Sequence, residues 1–243
     1  MKFMFKKKEF FEKIFKQYKK NRRIPPVDLH VHTSWIDGKN TVFEMSSAAI
    51  DKKITTLLFS EHTRANSEKW FSDFAEEVFL ARKKFQNKCL LLIGTEVKVL
   101  NDRGDLDLSE KIKTMCDLVM ASVHRFPGEK GIINNTQGIF SKEEAITMEF
   151  ELTEAAIENP NADIIGHPFG MSLKRFNTTP SWDFFLKLIK KASSFGKVFE
   201  INSHYHNNYK QLLDACVENN TLISFGSNAH STDEIGKIPI IKS

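Results

Sequence analysis

From residue 27 onward, short apolar runs rich in β-branched residues alternate with stretches whose apolar positions recur every three or four residues. The short runs are 27–32 (VDLHVH), 54–60 (ITTLLFS), 90–96 (LLLIGTE), 117–122 (DLVMAS), 162–166 (ADIIG), 198–202 (VFEIN) and 221–226 (TLISFG). Their length and composition predict buried strands. Between most of them the period lengthens and predicts helices. The stretch 67–86 places Trp70, Phe71, Phe74, Val78, Ala81 and Phe85 on one face, and 141–158 opens with Ser141 and Glu144, a capping box. Residues 181–194 have Ser181 as a candidate cap and 207–219 follow the same logic, while 41–53 and 106–115 carry weaker patterns. Seven strands alternating with helices predict a parallel α/β architecture, either a barrel or an open sheet.

The pattern ahead of residue 27 is different. Phe11, Phe15 and Tyr18 recur at helical spacing with Phe10 and Ile14 beside them, and Pro25-Pro26 ends the pattern. Residues 1–23 hold ten Lys/Arg and two Glu, a charge of +8 within a chain of net +4, so the remaining residues sum to −4. The basic character therefore belongs to this segment. Two readings stand for it: a helix whose aromatic stripe docks on the domain, or an arm that contacts an anionic lipid surface or nucleic acid. The expected division is a basic amphipathic arm at 1–26 and one catalytic-sized domain at 27–243.

Composition narrows the class. Hydrophobic residues at 41% and charged residues at 27% suit an ordinary globular core. Cys89, Cys116 and Cys216 show no CxxC spacing and predict reduced thiols. No run approaches the roughly 18 apolar residues of a membrane span, and no signal-peptide core is visible, so a cytoplasmic protein is expected.

Chemistry collects where the predicted strands end. The first gives His30 and His32, which a strand would project to one face together with Asp28, and then Asp37 in the WIDG stretch. The second gives His62, the third Glu96, the fourth His124 and the fifth His167. The sixth gives Glu200, Asn202 and His204, and the seventh Asn228 and His230. Seven of eight histidines lie at or just past a strand end, and His206 shares a loop with His204. In parallel barrels those ends converge on one face, where active sites are built.

Imidazole with carboxylate is a ligand set for divalent zinc, manganese or iron, and this many groups suits two or three ions better than one. Clustered cations suit phosphate-ester hydrolysis by a metal-activated hydroxide. The chain contains no GxSxG, GxxxxGK[ST] or GxGxxG sequence, which removes the nucleophilic-serine and nucleotide-cradle readings. Arg64 and Arg125 are the candidate phosphate-binding groups, since a guanidinium grips phosphate bidentately. Lys98, Lys174 and Arg175 are weaker candidates.

DLHVHT followed by a DG pair, and then SEH, GTE, SVH, GHP and SNAH in order, resemble the motifs of the PHP (polymerase and histidinol phosphatase) family of metal-dependent phosphoesterases. The resemblance runs from Val27 to about Ile235. It implies a distorted, TIM-like seven-stranded (β/α) barrel, here with an extra N-terminal basic helix, and a trinuclear metal centre. Carried over by motif position, the ligands are His30, His32, Asp37, His62, Glu96, His124, His167, Asn228 and His230, with Glu96 bridging. Asp37 is also a candidate catalytic carboxylate.

Two positions depart from the family pattern. Asn228 stands where the family has Asp, a neutral oxygen donor that cannot take a proton from the attacking water. Glu61 stands where the family has Asp before His62, and a role orienting the imidazole is expected of it. Asp28 is expected to be a buried support and not a ligand. His204 and His206 are pocket-lining or loop residues. The implied function is hydrolysis of a small phosphomonoester, as in the histidinol-phosphatase branch. The alternatives are a nuclease or nucleotide phosphodiesterase, and a non-catalytic metal-binding module allowed by Asn228.

Overall fold

The computed structural model describes residues 5–127 and 140–238. Residues 1–4 of the basic segment and residues 128–139 and 239–243 of the main domain lie outside the described residues. Seven strands, β1 (Val27–Val31), β2 (Thr56–Thr63), β3 (Leu90–Lys98), β4 (Leu118–Ser122), β5 (Ile164–Ile165), β6 (Val198–Asn202) and β7 (Leu222–Gly226), pair in sequence order, every ladder parallel. The last strand comes back to the first through a bridge between Val31 and Ala229, where the His32 N–H donates to the Ala229 carbonyl at 2.8 Å. The result is a nearly closed (β/α) barrel of the TIM-like kind.

Helices α2 (Val42–Asp51), α3 (Glu68–Lys84), α4 (Glu110–Met115), α5 (Lys142–Glu158), α6 (Trp182–Ser194) and α7 (Tyr209–Glu218) cover the strands. The stripe predicted for α3 is buried at Phe71, Phe74, Val78 and Ala81, and α6 buries Phe185, Leu188, Ile189 and Ala192. Both halves of the capping box at Ser141 and Glu144 are formed. The Ser181 backbone is extended at the start of α6, yet its hydroxyl makes no capping bond. Along β2 and β3 the ladder sets His62 level with Glu96, Ser60 with Gly94 and Leu58 with Leu92. On β4, Met120 lies level with Glu96 and in turn with Ile164 and Val198.

Helix α1 (Lys7–Asn21) buries Phe11, Ile14, Phe15 and Tyr18 in the same apolar cluster as Leu58, Leu92, Met120 and Phe225. The Tyr18 ring lies 5.8 Å from that of Phe225 on β7. Lys7 pairs with Asp163 at 2.7 Å and Arg22 with Asp214 at 3.0 Å, which ties both ends of the helix down. The docked arrangement is the one formed, and what α1 presents to solvent is its lysine face. Among the described residues no helix is long and apolar enough to cross a membrane.

Candidate metal centre

All nine candidate ligands meet at the C-terminal end of the barrel, gathered around Glu96. This carboxylate is 1% exposed, and five imidazoles surround it. His167 Nε2 lies 2.8 Å and His124 Nε2 3.1 Å from Oε1, while His62 Nδ1, His30 Nε2 and His32 Nε2 lie 3.1, 3.3 and 3.7 Å from Oε2. Asp37 faces the other side of the group, with Oδ2 3.6 Å from His62 Nε2 and 3.4 Å from His230 Nε2. Asn228 Oδ1 is 3.2 Å from His32 Nε2, so its amide oxygen points at the cluster.

These side chains converge for local reasons. β2 runs three residues beyond its predicted end, to Thr63, so His62 lies within the strand and not past it. β3 likewise extends to Lys98, which keeps Glu96 and Lys98 on one face. The backbone of His167 has φ 25° and that of Asn228 φ 56°. Both values are unusual for side-chain-bearing residues, although Asn tolerates the left-handed region well. Gly226 leaves room for the centre: a Cβ there would come within 2.3 Å of Glu200 Oε1 and 2.6 Å of His30 Cβ. Gly38 makes the tight turn after Asp37, where a Cβ would lie 2.6 Å from the His32 carbonyl.

The donor set suits divalent ions. Four-, three- and three-membered groups each have ligand atoms within 4.8 Å of one another: His32/Asp37/His62/His230, His30/His32/Glu96, and His62/Glu96/His124. His32 Nδ1, His167 Nδ1 and Glu96 Oε2 are buried without a hydrogen-bond partner, a costly state unless another group satisfies them. Burial, helped by the neighbouring imidazoles, holds His32 well below the usual histidine range. Burial also lowers His62 to about 4. Both rings are thus neutral, the form that ligates metal. Burial pulls His30 the same way, but Glu200 and Glu96 outweigh it and raise that ring well above its ordinary value. For Glu96, burial is outweighed by His124, His30 and His62, which keep the carboxylate ionised.

Around the cluster lies a layer of supporting contacts that only the folded chain reveals. Glu200 on β6 places Oε1 2.7 Å from His30 Nδ1 and accepts the His167 N–H through Oε2 at 2.5 Å, orienting two candidate ligands at once. Asn202 donates to Glu200 at 3.0 Å. Asp28 does not point at the imidazoles. A register shift between Asp28 and Val31 breaks the strand alternation, and Asp28 accepts from the Ser227 N–H, the Ser227 hydroxyl and the Gly236 N–H at 2.9, 2.6 and 2.8 Å. It holds the loop that carries Asn228. Glu61 departs from the role expected of it: Oε1 accepts from the Thr33 N–H and hydroxyl, both at 2.6 Å, because neighbouring residues on a strand face opposite ways and Glu61 is turned from the His62 ring.

The centre opens into a cavity of about 520 Å³, lined by Arg64, Lys98, Arg125, Lys174, Arg175 and Tyr205 among others. Both arginines singled out in the sequence reach it. Tyr205, whose ring centroid is 4.3 Å from that of His167, was not anticipated. Of the two loop histidines, His204 is exposed, and His206 is buried in a backbone role, accepting the Asn202 N–H at Nδ1 and lying 3.0 Å from the Pro168 carbonyl.

Comparisons with known proteins agree with this geometry. The chain is similar to a probable phosphatase of Thermoanaerobacter sp. (strain X514), 28% identical over 225 residues that cover 87% of this chain and 81% of that one. It also matches the DNA polymerase/3'-5' exonuclease PolX of Bacillus subtilis, 29% identical over 154 residues, where the match spans 61% of this chain but only 24% of the polymerase. Among solved structures, the fold is shared with a histidinol phosphate phosphatase of Lactococcus lactis complexed with zinc, L-histidinol and phosphate, with TM-score 0.65, 19% identity, and 85% and 86% of the two chains covered. The PHP domain family model matches residues 28–204, from the first histidine motif into the loop after β6, and the chain therefore belongs to the PHP domain family.

Proposed function

We propose that this chain is a metal-dependent phosphoesterase that hydrolyses small phosphate monoesters in the cavity above Glu96. The coarse activity follows from family membership together with the donor set. The observation that carries it is one buried carboxylate ringed by five imidazoles at 2.8–3.7 Å. That arrangement is matched by divalent cations and by little else.

His30, His32, Asp37, His62, Glu96, His124, His167, Asn228 and His230 would hold two or three ions of zinc, manganese or iron. Bound ions would supply Lewis acidity and a water of lowered pKa. Burial raises the Asp37 carboxyl, but His230 and His62 outweigh it and keep the group ionised. Asp37 is the acceptor we assign to the proton of the attacking water, a task that the neutral Asn228 amide leaves open. Arg64 and Arg125 bind the phosphoryl oxygens from the cavity wall and hold phosphorus in line for attack. The water oxygen bonds to phosphorus, the bond from phosphorus to the leaving oxygen breaks, and that oxygen takes up a proton. The products are an alcohol and inorganic phosphate.

Protein purified without chelator, and assayed with 4-nitrophenyl phosphate, tests the reading. We expect two or three ions per chain by elemental analysis, and a rate that His32→Ala lowers by more than about a hundredfold. One ion or none per chain contradicts the multinuclear centre. Metal-replete protein without turnover favours the non-catalytic module that Asn228 allows.

A further inference from the structure

The cavity brings together more cationic side chains than one phosphoryl group needs. Among the described residues, Arg64, Lys98, Arg125, Lys174 and Arg175 line it, against three carboxylates, Asp37, Glu96 and Asp107. Two of those carboxylates belong to the metal centre, where bound ions would offset both them and a phosphate dianion. Asp107 accepts the Ala65 N–H at 2.9 Å, which holds its charge beside the loop after β2.

The cations form an arc along the rim, from Arg64 after β2 and Lys98 at the end of β3 to Arg125 after β4 and Lys174 and Arg175 after β5. The last two have a dedicated mount. They sit in a π-helical turn, Met171–Arg175, that begins four residues after His167. The buried carboxylate of Glu149, reaching in from α5, accepts the Met171 N–H at 2.9 Å and both the Ser172 N–H and hydroxyl at 2.6 Å. A π-helical turn is rare and concentrates at functional sites. A buried carboxylate is spent here on fixing where that turn points.

Resting on the phosphoesterase reading above, we propose that the substrate is a phosphate monoester whose leaving group carries a second anionic group, a carboxylate or another phosphate, received by Lys174 and Arg175. Hydrolysis is the same reaction, water plus ester giving alcohol and inorganic phosphate, and the second anion remains on the alcohol. In a partly closed, cation-lined cleft the field favours such a substrate and disfavours an ammonium-bearing one. The specificity is thereby opposite in charge to that suited to an amino-alcohol leaving group.

A matched series tests this in the metal-loaded full chain: propyl phosphate, 3-phosphonooxypropanoate, propane-1,3-diyl bisphosphate and 3-aminopropyl phosphate. We expect kcat/KM for one or both of the substrates with an anionic tail to exceed that for propyl phosphate by about tenfold or more, with the aminopropyl ester slowest. Whichever of the carboxylate and bisphosphate arms is preferred identifies the second anion. In Lys174→Glu, which changes an exposed side chain, and separately in Arg175→Gln, the ratio of kcat/KM for the preferred substrate to that for propyl phosphate should fall about tenfold. A flat series overturns the proposal, as does an unchanged ratio in both variants, which would place the pair on the scissile phosphate. Turnover of propyl phosphate with a flat series leaves the phosphoesterase reading intact, whereas turnover of none of the four defeats both.

Discussion

Asn228 occupies a left-handed backbone position, φ 56°, with its amide oxygen 3.2 Å from His32 Nε2. Asp and Asn are nearly isosteric and both tolerate that conformation, so an exchange alters charge more than shape. Asn228→Asp adds a negative oxygen donor beside the neutral His32 ring. We expect divalent metal to bind about tenfold more tightly, read by calorimetric titration, and turnover to rise. Unchanged affinity would show that position 228 contributes no ligand. Glu149 makes a different kind of prediction. Burial raises its carboxyl from 4.5 to about 7. The folded protein therefore holds a proton that the unfolded chain releases across that window. The stabilisation is complete below about pH 4.5 and is lost as pH rises through 7, a change on the order of 3 kcal/mol. Urea midpoints measured from pH 5 to 8 should fall for the wild type relative to Glu149→Gln, and parallel profiles would refute the titration.

The element that the apolar spacing marked most clearly, α3, packs as expected, with Phe71, Phe74, Val78 and Ala81 buried. Helix α1 shows how far amphipathicity can be read and where it stops. The stripe of Phe11, Phe15 and Tyr18 identifies a helix, but its partner is Phe225, some two hundred residues away, which no local pattern names. Because the stripe is part of the barrel's core, Phe11→Ala should cost about 3–5 kcal/mol in chemical denaturation. Lys16→Ala on the exposed face of the same helix should change stability by less than about 0.5 kcal/mol. Comparable losses from both would mean that α1 is not docked. Strand bounds were less legible. β5 has only Ile164–Ile165 in ladder, and β2 begins two residues late and ends three residues beyond the predicted run. Pairing with neighbours sets such ends, and pairing is not written in one strand's own residues. The π-helical turn had no sequence signal at all.

The barrel concentrates five imidazoles and an ionised carboxylate in one place, with three buried ligand atoms lacking partners. Such a centre is an internal cost to the fold that bound cations would offset. Divalent ion at a hundred times its dissociation constant stabilises by about 2.7 kcal/mol per site. Chelator treatment should therefore lower Tm by several degrees, and added zinc or manganese should restore it; a Tm indifferent to both would contradict a metal centre at this site. The same barrel gives the cavity its charge, since the loops after β2, β4 and β5 bring Arg64, Arg125, Lys174 and Arg175 to one rim.

Residue order alone carried the alternation of strands and helices, because burial periodicity is a local property of the chain. It also carried the histidine motifs, because ligands at strand ends recur with the strands. From those motifs came the family resemblance and the nine candidate ligands. The tertiary structure was needed for every relation between distant segments: Glu200 turning His30 and His167, Asp28 holding the Ser227–Asn228 loop, Glu149 mounting the turn that bears Lys174 and Arg175. Those contacts join residues 22 to 199 positions apart. Hydrogen-bond partners at that separation are chosen by barrel closure and register, and a one-residue shift such as the one between Asp28 and Val31 is enough to move a side chain from one set of partners to another.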